Sequence, residues 1–383
     1  MNSYLRTRLD SAKVPLVIIA TVYLIFIIMR FTIFDYEPSD FIEAGEMFCD
    51  PDLVPDGLRV LGDNSAGYDG QFYYRMALDP FGFKTDDFGI TFDAPSYRQQ
   101  RIMYPLIVWG LSLGRPELVP IMMILVNYFA LCLIAYLGGL FAQSMKQHAL
   151  WGLIFAIYPG FILSFARDLA EIVAVCFLFL SLFLLRNNKH LFATLFLTLA
   201  MFTRETTLMV AVAALLIRFL VTDEGKSNDK LKWYFFVIPI VSYFGWQLFL
   251  FLKWAEWPFP VSSYNFGLPL LGIINFFKDR ERIDLLVYFS ELCFIVAFAI
   301  SVLKSLGSTV ATKHEKLSWL LYAIPLLFAS RDFWAEDWGF LRFLSEFYII
   351  GSLIILGSKF KLKLLIFVCS LVFWLYLFKD RMP

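Results

Sequence analysis

Long apolar stretches separated by short polar segments recur along the whole of this 383-residue chain. The hydrocarbon core of a bilayer is about 30 Å thick, and a helix needs about 20 apolar residues to cross it. Hydrophobic residues make up 59% of the chain, above the level of roughly 45–50% that is usual in soluble domains. The pattern predicts a single integral-membrane domain, 1–383, with about eleven spans. These spans are expected near 15–34, 118–142, 150–166, 170–186, 190–203, 206–221, 233–253, 285–303, 317–330, 340–358 and 363–378.

We expect the spans to be α-helices. Backbone polar groups inside a bilayer must be satisfied within the spanning structure, and a β-barrel would instead show alternating segments of about ten residues. The predicted fold class is therefore an all-α polytopic bundle. The first apolar run lacks a cleavage site of the A-x-A type and follows Arg6, Arg8 and Lys13. It is predicted to be an anchor with a cytoplasmic N-terminus.

Charged residues are predicted to be sorted between the two sides of the membrane. If the spans alternate, the basic loops 186–190 and 359–363 fall on the same side as the N-terminus, as the positive-inside rule requires. The 33 Lys and Arg residues balance 33 Asp and Glu residues over the whole chain. The acids gather in the loops of the other side, so we expect residues 69 and 336 outside, residue 188 inside, and a site that faces outward.

The five cysteines and three histidines form no recognisable site. They show neither a disulfide framework nor the spacing of metal ligands. The chain also lacks a Walker loop and a dinucleotide-type glycine fingerprint. Soluble nucleotide chemistry and nucleic-acid binding are therefore not expected.

Two long outer loops are predicted, 35–101 and 255–284. A structureless connector as long as the first is uncommon in a compact protein, so we expect short interfacial helices at 39–48 and in the stretch GYDGQFYYRMALDPF, 67–81. Phe72, Met76 and Phe83 would then lie near one helical face. Gly67 and Gly70 would let the backbone approach a ligand closely.

Asp69 lies at the predicted start of this second helix. Aspartate is a favoured N-cap, so a purely structural role would explain the residue when it is taken alone. The alternative is a functional carboxylate.

Three further polar clusters lie at the predicted outer ends of spans. Ionisable residues at membrane depth are costly and usually functional or paired. Any single cluster could be an ion pair or an interfacial anchor, but four on one side favour a shared polar cavity. The charged residues of the three clusters are Arg167, Asp168 and Glu171 in 165–172; Arg204 and Glu205 in 202–207; and Arg331, Asp332, Glu336, Asp337, Arg342 and Glu346 in 330–348.

The predicted cavity contains carboxylates, arginines and aromatic residues, and the sequence has no metal motif. These groups suit the transfer of a sugar from a membrane-embedded phosphate donor. Arginine forks match phosphate oxygens bidentately and remain charged. A carboxylate can accept the proton of an attacking hydroxyl as a general base. Together these groups describe an inverting sugar transfer from a polyprenyl phosphate. Ion-coupled transport uses the same residue types, so composition leaves both classes open.

The order of the motifs resembles a known family. The first outer loop of that family is similar to the stretch Tyr68 to Tyr73, followed here by Met76-Ala77 and Gly82-Phe83. The Tyr104-Pro105 step comes next, as in the family. Two later steps of the family are similar to the segment 166–210, with Thr203-Arg204 near its end, and to Leu341-Arg342-Phe343. The chain thus resembles the GT-C glycosyltransferase superfamily, and within it the bacterial relatives of the second mannosyltransferase of GPI-anchor assembly.

The resemblance implies roles for individual residues. Asp69 would be the catalytic carboxylate, and the donor phosphate would be held by arginines. Asp168 and Glu171 are offset relative to the single acid of the family, so either could match it. The implied phosphate ligands are Arg204, Arg342 and Arg331, and the implied cavity-lining residues are Tyr68, Gln71, Tyr73, Arg101, Arg167, Asp168, Glu171, Glu205 and Asp337.

The resemblance also implies partners and a location. The expected donor is a polyprenyl-phosphate sugar, of hexosyl or mannosyl type, and the acceptor is a glycan, a lipid or a protein. The superfamily includes members that use a divalent cation, Mg²⁺ or Mn²⁺, beside the catalytic acid. We expect no obligatory metal, and leave the cation open. The expected location is a bacterial inner membrane, with the site facing the periplasm.

Two alternatives remain open at this point. A transporter or flippase shares the helical bundle and the buried charges, although such proteins commonly contain internal repeats, and none is evident here. A non-catalytic assembly subunit would tolerate Asp69→Asn without loss of function.

Overall fold

Most of the chain is helical in the computed structural model, which describes residues 10–220, 232–259, 267–278, 282–334 and 337–380. The α-helices are α1 (Lys13–Ile33), α2 (Gly70–Leu78), α3 (Pro95–Gln99), α4 (Met103–Ser112), α5 (Val119–Ser144), α6 (Leu153–Ala156), α7 (Pro159–Phe165), α8 (Glu171–Arg186), α9 (His190–Thr203), α10 (Leu208–Leu220), α11 (Tyr234–Trp254), α12 (Leu271–Lys278), α13 (Arg282–Ser305), α14 (Lys313–Phe328), α15 (Arg331–Trp334), α16 (Asp337–Phe343), α17 (Ser345–Leu356) and α18 (Lys363–Asp380). Short 3₁₀ helices occupy Pro38–Phe41, Pro116–Leu118, Ala149–Gly152 and Glu205–Thr207, and four two-residue strands are β1 (Ala44–Gly45), β2 (Val60–Leu61), β3 (Asp86–Asp87) and β4 (Ile90–Thr91).

Four helices of the described residues are long and apolar enough to cross a membrane. They are Lys13–Ile33, Pro116–Ser144, Tyr234–Trp254 and Leu286–Ser305. These helices support an integral membrane protein with a mostly helical fold. The count of eleven spans is not confirmed, because several predicted spans fall on helices well short of the roughly 20 residues that a bilayer requires.

Some predicted spans are interrupted or short. The span predicted at 150–166 is divided into α6 and α7, which are separated at Tyr158. Pro159 follows, and because proline has no N–H group and disfavours the helical conformation of the residue before it, a helix end is favoured there. The helices α9 and α17 are apolar but have 14 and 12 residues.

The first loop is folded, as its length predicted, but its first part is not the helix expected at 39–48. A 3₁₀ helix ends at Phe41, and β1 follows and pairs in parallel with β2. Glu43, which lies between the 3₁₀ helix and β1, has a φ of 50°, in the left-handed region. That region is costly for a residue with a side chain, and a regular right-handed helix cannot continue through it. The prediction of a helix there is wrong.

The second predicted helix of the loop forms, but it is buried. The residues Gly70 to Ala77 of α2 are all buried within the protein, so they leave no exposed apolar face to lie on a membrane surface. Phe72 and Met76 belong to the apolar core, as their spacing predicted. Phe83 lies beyond the end of α2 and packs against Trp254, with ring centroids 6.0 Å apart. The second predicted loop, 255–284, contains α12, and residues 260–266 and 279–281 fall outside the described residues.

The chain alternates between two ends of the bundle. The 16 residues of α8 cover about 24 Å, from Glu171 at one end to Arg186 at the other. Arg186 donates to Glu315 at the start of α14, through Nε at 2.9 Å and Nη2 at 2.7 Å. The helix α9 then returns toward Arg204. The loop that joins α8 to α9 therefore lies at the end of the bundle opposite Glu171.

We expect the two ends to face opposite sides of a membrane. In a variant without native cysteines, Asp52→Cys in the first loop and Lys189→Cys after α8 place exposed thiols at opposite ends. An impermeant thiol reagent applied to intact cells should label position 52, and should label position 189 only after permeabilisation. Equal labelling of both positions in intact cells would contradict this arrangement.

Candidate functional site

Asp69 occupies the N-cap position of α2, but its side chain does not cap the helix. The carboxylate instead contacts two arginines: Oδ1 lies 2.8 Å from Arg98 Nη1, and Oδ2 lies 3.1 Å from Arg342 Nη2. Burial raises the pKa of Asp69, but Arg98 and Arg342 lower it by more, so the pKa lies well below the usual range. The N-cap explanation of this residue therefore does not account for where its side chain points.

Arg342 joins Asp69 to two other parts of the chain. Its Nε and Nη2 atoms donate to Glu171 Oε1 at 3.2 and 2.9 Å. Its Nη1 atom donates to the hydroxyl of Tyr68 at 2.5 Å. The first loop, the start of α8 and the end of α16 thus meet at one guanidinium group.

Arg204 extends this network to the fourth cluster. Its Nη1 atom donates to both carboxylate oxygens of Glu346, at 3.3 and 3.1 Å, and to the backbone oxygen of Arg342. Thr206 donates to the same carboxylate at 2.8 Å. The Nε atom of Arg204 is buried and has no hydrogen-bond partner among the described residues. Arg204 therefore has one N–H group without an acceptor among the described residues.

Arg101 and Glu205 form the other side of the network. Arg101 Nη2 lies 2.6 Å from Glu205 Oε1, and its Nε atom donates to the second oxygen at 2.9 Å. Arg101 also donates to the hydroxyls of Tyr73 and Tyr97, at 3.4 and 2.9 Å. A bidentate pair of this kind fixes the geometry of both side chains.

Tyr68 lies between two guanidinium groups. The Arg167 and Arg342 groups are 4.0 and 5.0 Å from the centroid of its ring. Arg167 Nε also lies 2.6 Å from Glu43 Oε2. The aromatic residue of the predicted motif is therefore part of the charged network.

Other predicted site residues lie elsewhere or outside the described side chains. Gln71 is buried, donates to the backbone oxygen of Ala66, and accepts from the backbone of Gly45, so its amide connects backbone segments. Asp168 is fully buried, and neither of its oxygens has a hydrogen-bond partner among the described residues. Of the two offset acids, Glu171 is the one that contacts Arg342. The side chains that fall outside the described part are those of Arg331, Asp332, Glu336 and Asp337.

Arg98 is the main site residue that sequence reasoning missed. Its Nε and Nη2 atoms donate to Asp93 at 2.8 and 2.6 Å, and its guanidinium group lies 4.3 Å from the centroid of the Phe72 ring. Arg98 and Arg101 are three residues apart, a spacing that places side chains on one helical face. This spacing is the feature of the sequence that could have identified Arg98 as a site residue.

Gly70 allows two backbone segments to approach, not a ligand as the sequence suggested. A Cβ atom at Gly70 would lie 2.5 Å from the backbone oxygen of Arg167 and 2.6 Å from that of Ile42. Real Cβ atoms essentially never come this close to backbone. Because residue 70 is glycine, the start of α2, next to Asp69, can pack closely against the backbone at Arg167, shortly before α8.

We expect Gly70→Ala to disturb the site through this contact. Overpacking a tight contact costs typically about 1–3 kcal/mol, and here the neighbours are backbone atoms that cannot rotate away. Thermal unfolding in detergent should show a lower midpoint. Gly110→Ala is the matched control, because a Cβ atom at this helical glycine meets nothing within 4 Å. Equal midpoints for the two variants would contradict the packing argument.

The acids of the network are poorly suited to a divalent cation. No group of three or more His, Cys, Asp or Glu residues that could hold a metal ion occurs among the residues that were placed. Asp69, Glu171 and Glu205 are each already paired with an arginine. The described residues do not fit the divalent cation that the resemblance left open, and we derive no step through one.

Comparison with known proteins does not identify a family: no family model, curated protein or solved structure matches the chain. The site must therefore be interpreted from its own geometry.

Proposed function

We propose that this protein is a membrane glycosyltransferase that moves a sugar from a polyprenyl-phosphate donor to an acceptor. One observation carries the proposal: four polar clusters that are far apart in sequence meet around Asp69, Arg342 and Arg204. Buried charges are costly to assemble, and a shared site explains why they are placed together. In this proposal the helices form a GT-C-like bundle of about eleven spans in a bacterial inner membrane, with the site on the periplasmic side.

The proposed reaction needs two kinds of group. Arg204 and Arg342 would bind the donor phosphate, and Asp69 would accept the proton of the acceptor hydroxyl. The hydroxyl oxygen would form a bond to the anomeric carbon as the bond from that carbon to the phosphate oxygen breaks. The product sugar would have the inverted configuration, and polyprenyl phosphate would leave. Arg331 and Asp337 keep their predicted roles in the donor site and the cavity.

A small apolar cavity of about 10 Å³ lies next to the residue that precedes Arg342. It is lined by side chains that include Tyr158, Phe294, Leu341 and Tyr348. Tyr158 donates to the backbone oxygen of Leu341, the residue that precedes Arg342. A cavity of this size holds about one water molecule and has no room for a hydrocarbon chain.

The proposal is tested by offering the purified protein a panel of polyprenyl-phosphate sugars together with cell-envelope glycans and lipids as acceptors. We expect release of polyprenyl phosphate with one or a few of the sugars. The pair that reacts would name the sugar and the acceptor. Failure to release polyprenyl phosphate with any donor, by protein that remains folded, would contradict the proposal.

A further inference from the structure

We propose that the donor phosphate and Asp69 compete for Arg342, so that binding of the donor releases Asp69 to act as a base. The inference rests on the proposed function and adds an order to it: the phosphate binds first and the acceptor hydroxyl second.

Asp69 is held on both sides in the structure described here. One oxygen contacts Arg98 and the other contacts Arg342, and 24% of the side chain is exposed. A carboxylate between two guanidinium groups is a weak base, because both positive charges favour its ionised form. General-base catalysis is most efficient when the pKa of the base lies near the working pH. In the described arrangement Asp69 is therefore a weak base.

Arg342 has little capacity left for a phosphate. Four of its N–H groups are in use: Nε donates to Glu171, Nη1 donates once to Tyr68, and Nη2 donates to both Asp69 and Glu171. A guanidinium group has five N–H donors, so a bidentate phosphate must replace one of these acceptors. A phosphate can therefore bind Arg342 through two hydrogen bonds only by exchange.

Of the two carboxylates on Arg342, Asp69 is the one that can be exchanged at the lower cost. Its contact with Arg342, at 3.1 Å, is longer than that of Glu171, at 2.9 Å. Glu171 is almost fully buried and would be left as an unpaired buried charge, which is strongly unfavourable. Asp69 would keep Arg98, which Asp93 holds through two hydrogen bonds.

The consequence is a coupling between donor binding and basicity. Once Arg342 turns to the phosphate, Asp69 loses one of its two positive neighbours and becomes a better proton acceptor. It also becomes free on the side from which Arg342 has withdrawn. A base activated in this way would not react with the acceptor before the donor is present.

The experiment measures binding of undecaprenyl phosphate to purified protein in nanodiscs by titration calorimetry. The variants are Asp69→Asn, Arg342→Lys and the two combined. We expect Asp69→Asn to bind the phosphate about tenfold more tightly than the parent protein, because the competitor for Arg342 becomes neutral. In the Arg342→Lys background the same substitution should change the affinity by less than about twofold, since the fork is absent.

A matched control separates competition from general charge. Asp93→Asn removes one negative charge from the same network without touching Arg342. It should leave the affinity within about twofold of the parent value. An equal gain for Asp93→Asn, an equal gain for Asp69→Asn in the Arg342→Lys background, or no gain at all would overturn the competition. If no form bound undecaprenyl phosphate, the proposed function would fail as well.

Discussion

Replacing Asp69 with asparagine is expected to lower turnover by about 10²–10⁴-fold, the usual contribution of a general base. The amide has nearly the same size but cannot accept the proton of the acceptor hydroxyl. Asp69→Glu should rescue poorly, because one extra methylene displaces the oxygen from an aligned attack. The measurement is the initial rate of polyprenyl-phosphate release at saturating donor and acceptor.

Asp93→Asn is the matched control for this substitution. Asp93 and Asp69 both contact Arg98, so both variants lose an ion pair with the same partner. Only Asp69 also contacts Arg342. We expect Asp93→Asn to retain most of the parental rate, with thermal unfolding used to confirm that both variants fold. If Asp69→Asn kept the parental rate while Glu171→Gln was inactive, the base would be Glu171.

Replacing Arg342 with lysine is expected to weaken donor binding by about 10- to 100-fold. A hydrogen bond to a charged group is worth about 1.5–3 kcal/mol, and each 1.4 kcal/mol is a factor of ten in affinity. Lysine keeps the positive charge but cannot form the two parallel bonds of the fork. Titration of the protein in nanodiscs with undecaprenyl phosphate measures the loss.

Arg186→Lys controls for the loss of a guanidinium group as such. Arg186 is also bidentate, to Glu315, but it lies at the opposite end of α8 from Glu171. The two variants should therefore suffer similar losses of packing, while only Arg342→Lys loses affinity for the phosphate. Unchanged donor affinity in Arg342→Lys would reduce this residue to a structural anchor.

The sequence located the polar clusters but did not predict the contacts between them. Charges between apolar runs are easy to find, because an apolar background makes each one conspicuous and its burial costly. The four clusters were found in this way, and the structure brings three of them together at Arg342. Pairing could not be predicted, since it depends on how helices that are distant in sequence pack.

The missed features depend on tertiary contacts. Arg98 lies within the first loop, where charged residues are common and a single one does not stand out. It is a partner of Asp69 only because of the way α2 packs in the fold. The role of Gly70 was misread for the same reason, because a glycine permits close approach without indicating what approaches. The helix expected at 39–48 failed because the pairing of β1 with β2 prevailed over local helical tendency.

The number of membrane spans could not be predicted from apolar content. Apolar runs such as 150–166 fulfil the composition of a membrane helix, but the proline at 159 divides the run. Helices as short as α17 reach about 18 Å, from 12 residues, less than a bilayer core of about 30 Å. Length and continuity cannot be read from hydrophobic content alone.

Whether a covalent transfer occurs at all is the central question, because a flippase could use the same charged network to move an intact sugar lipid. Proteoliposomes containing the purified protein would be given a polyprenyl-phosphate sugar labelled in the sugar, together with an acceptor. Lipid and acceptor fractions would then be separated and counted. The proposed function predicts that label passes to the acceptor while unlabelled polyprenyl phosphate appears in equal amount. Label that crosses the bilayer still attached to its polyprenyl phosphate, with none on the acceptor, would contradict it.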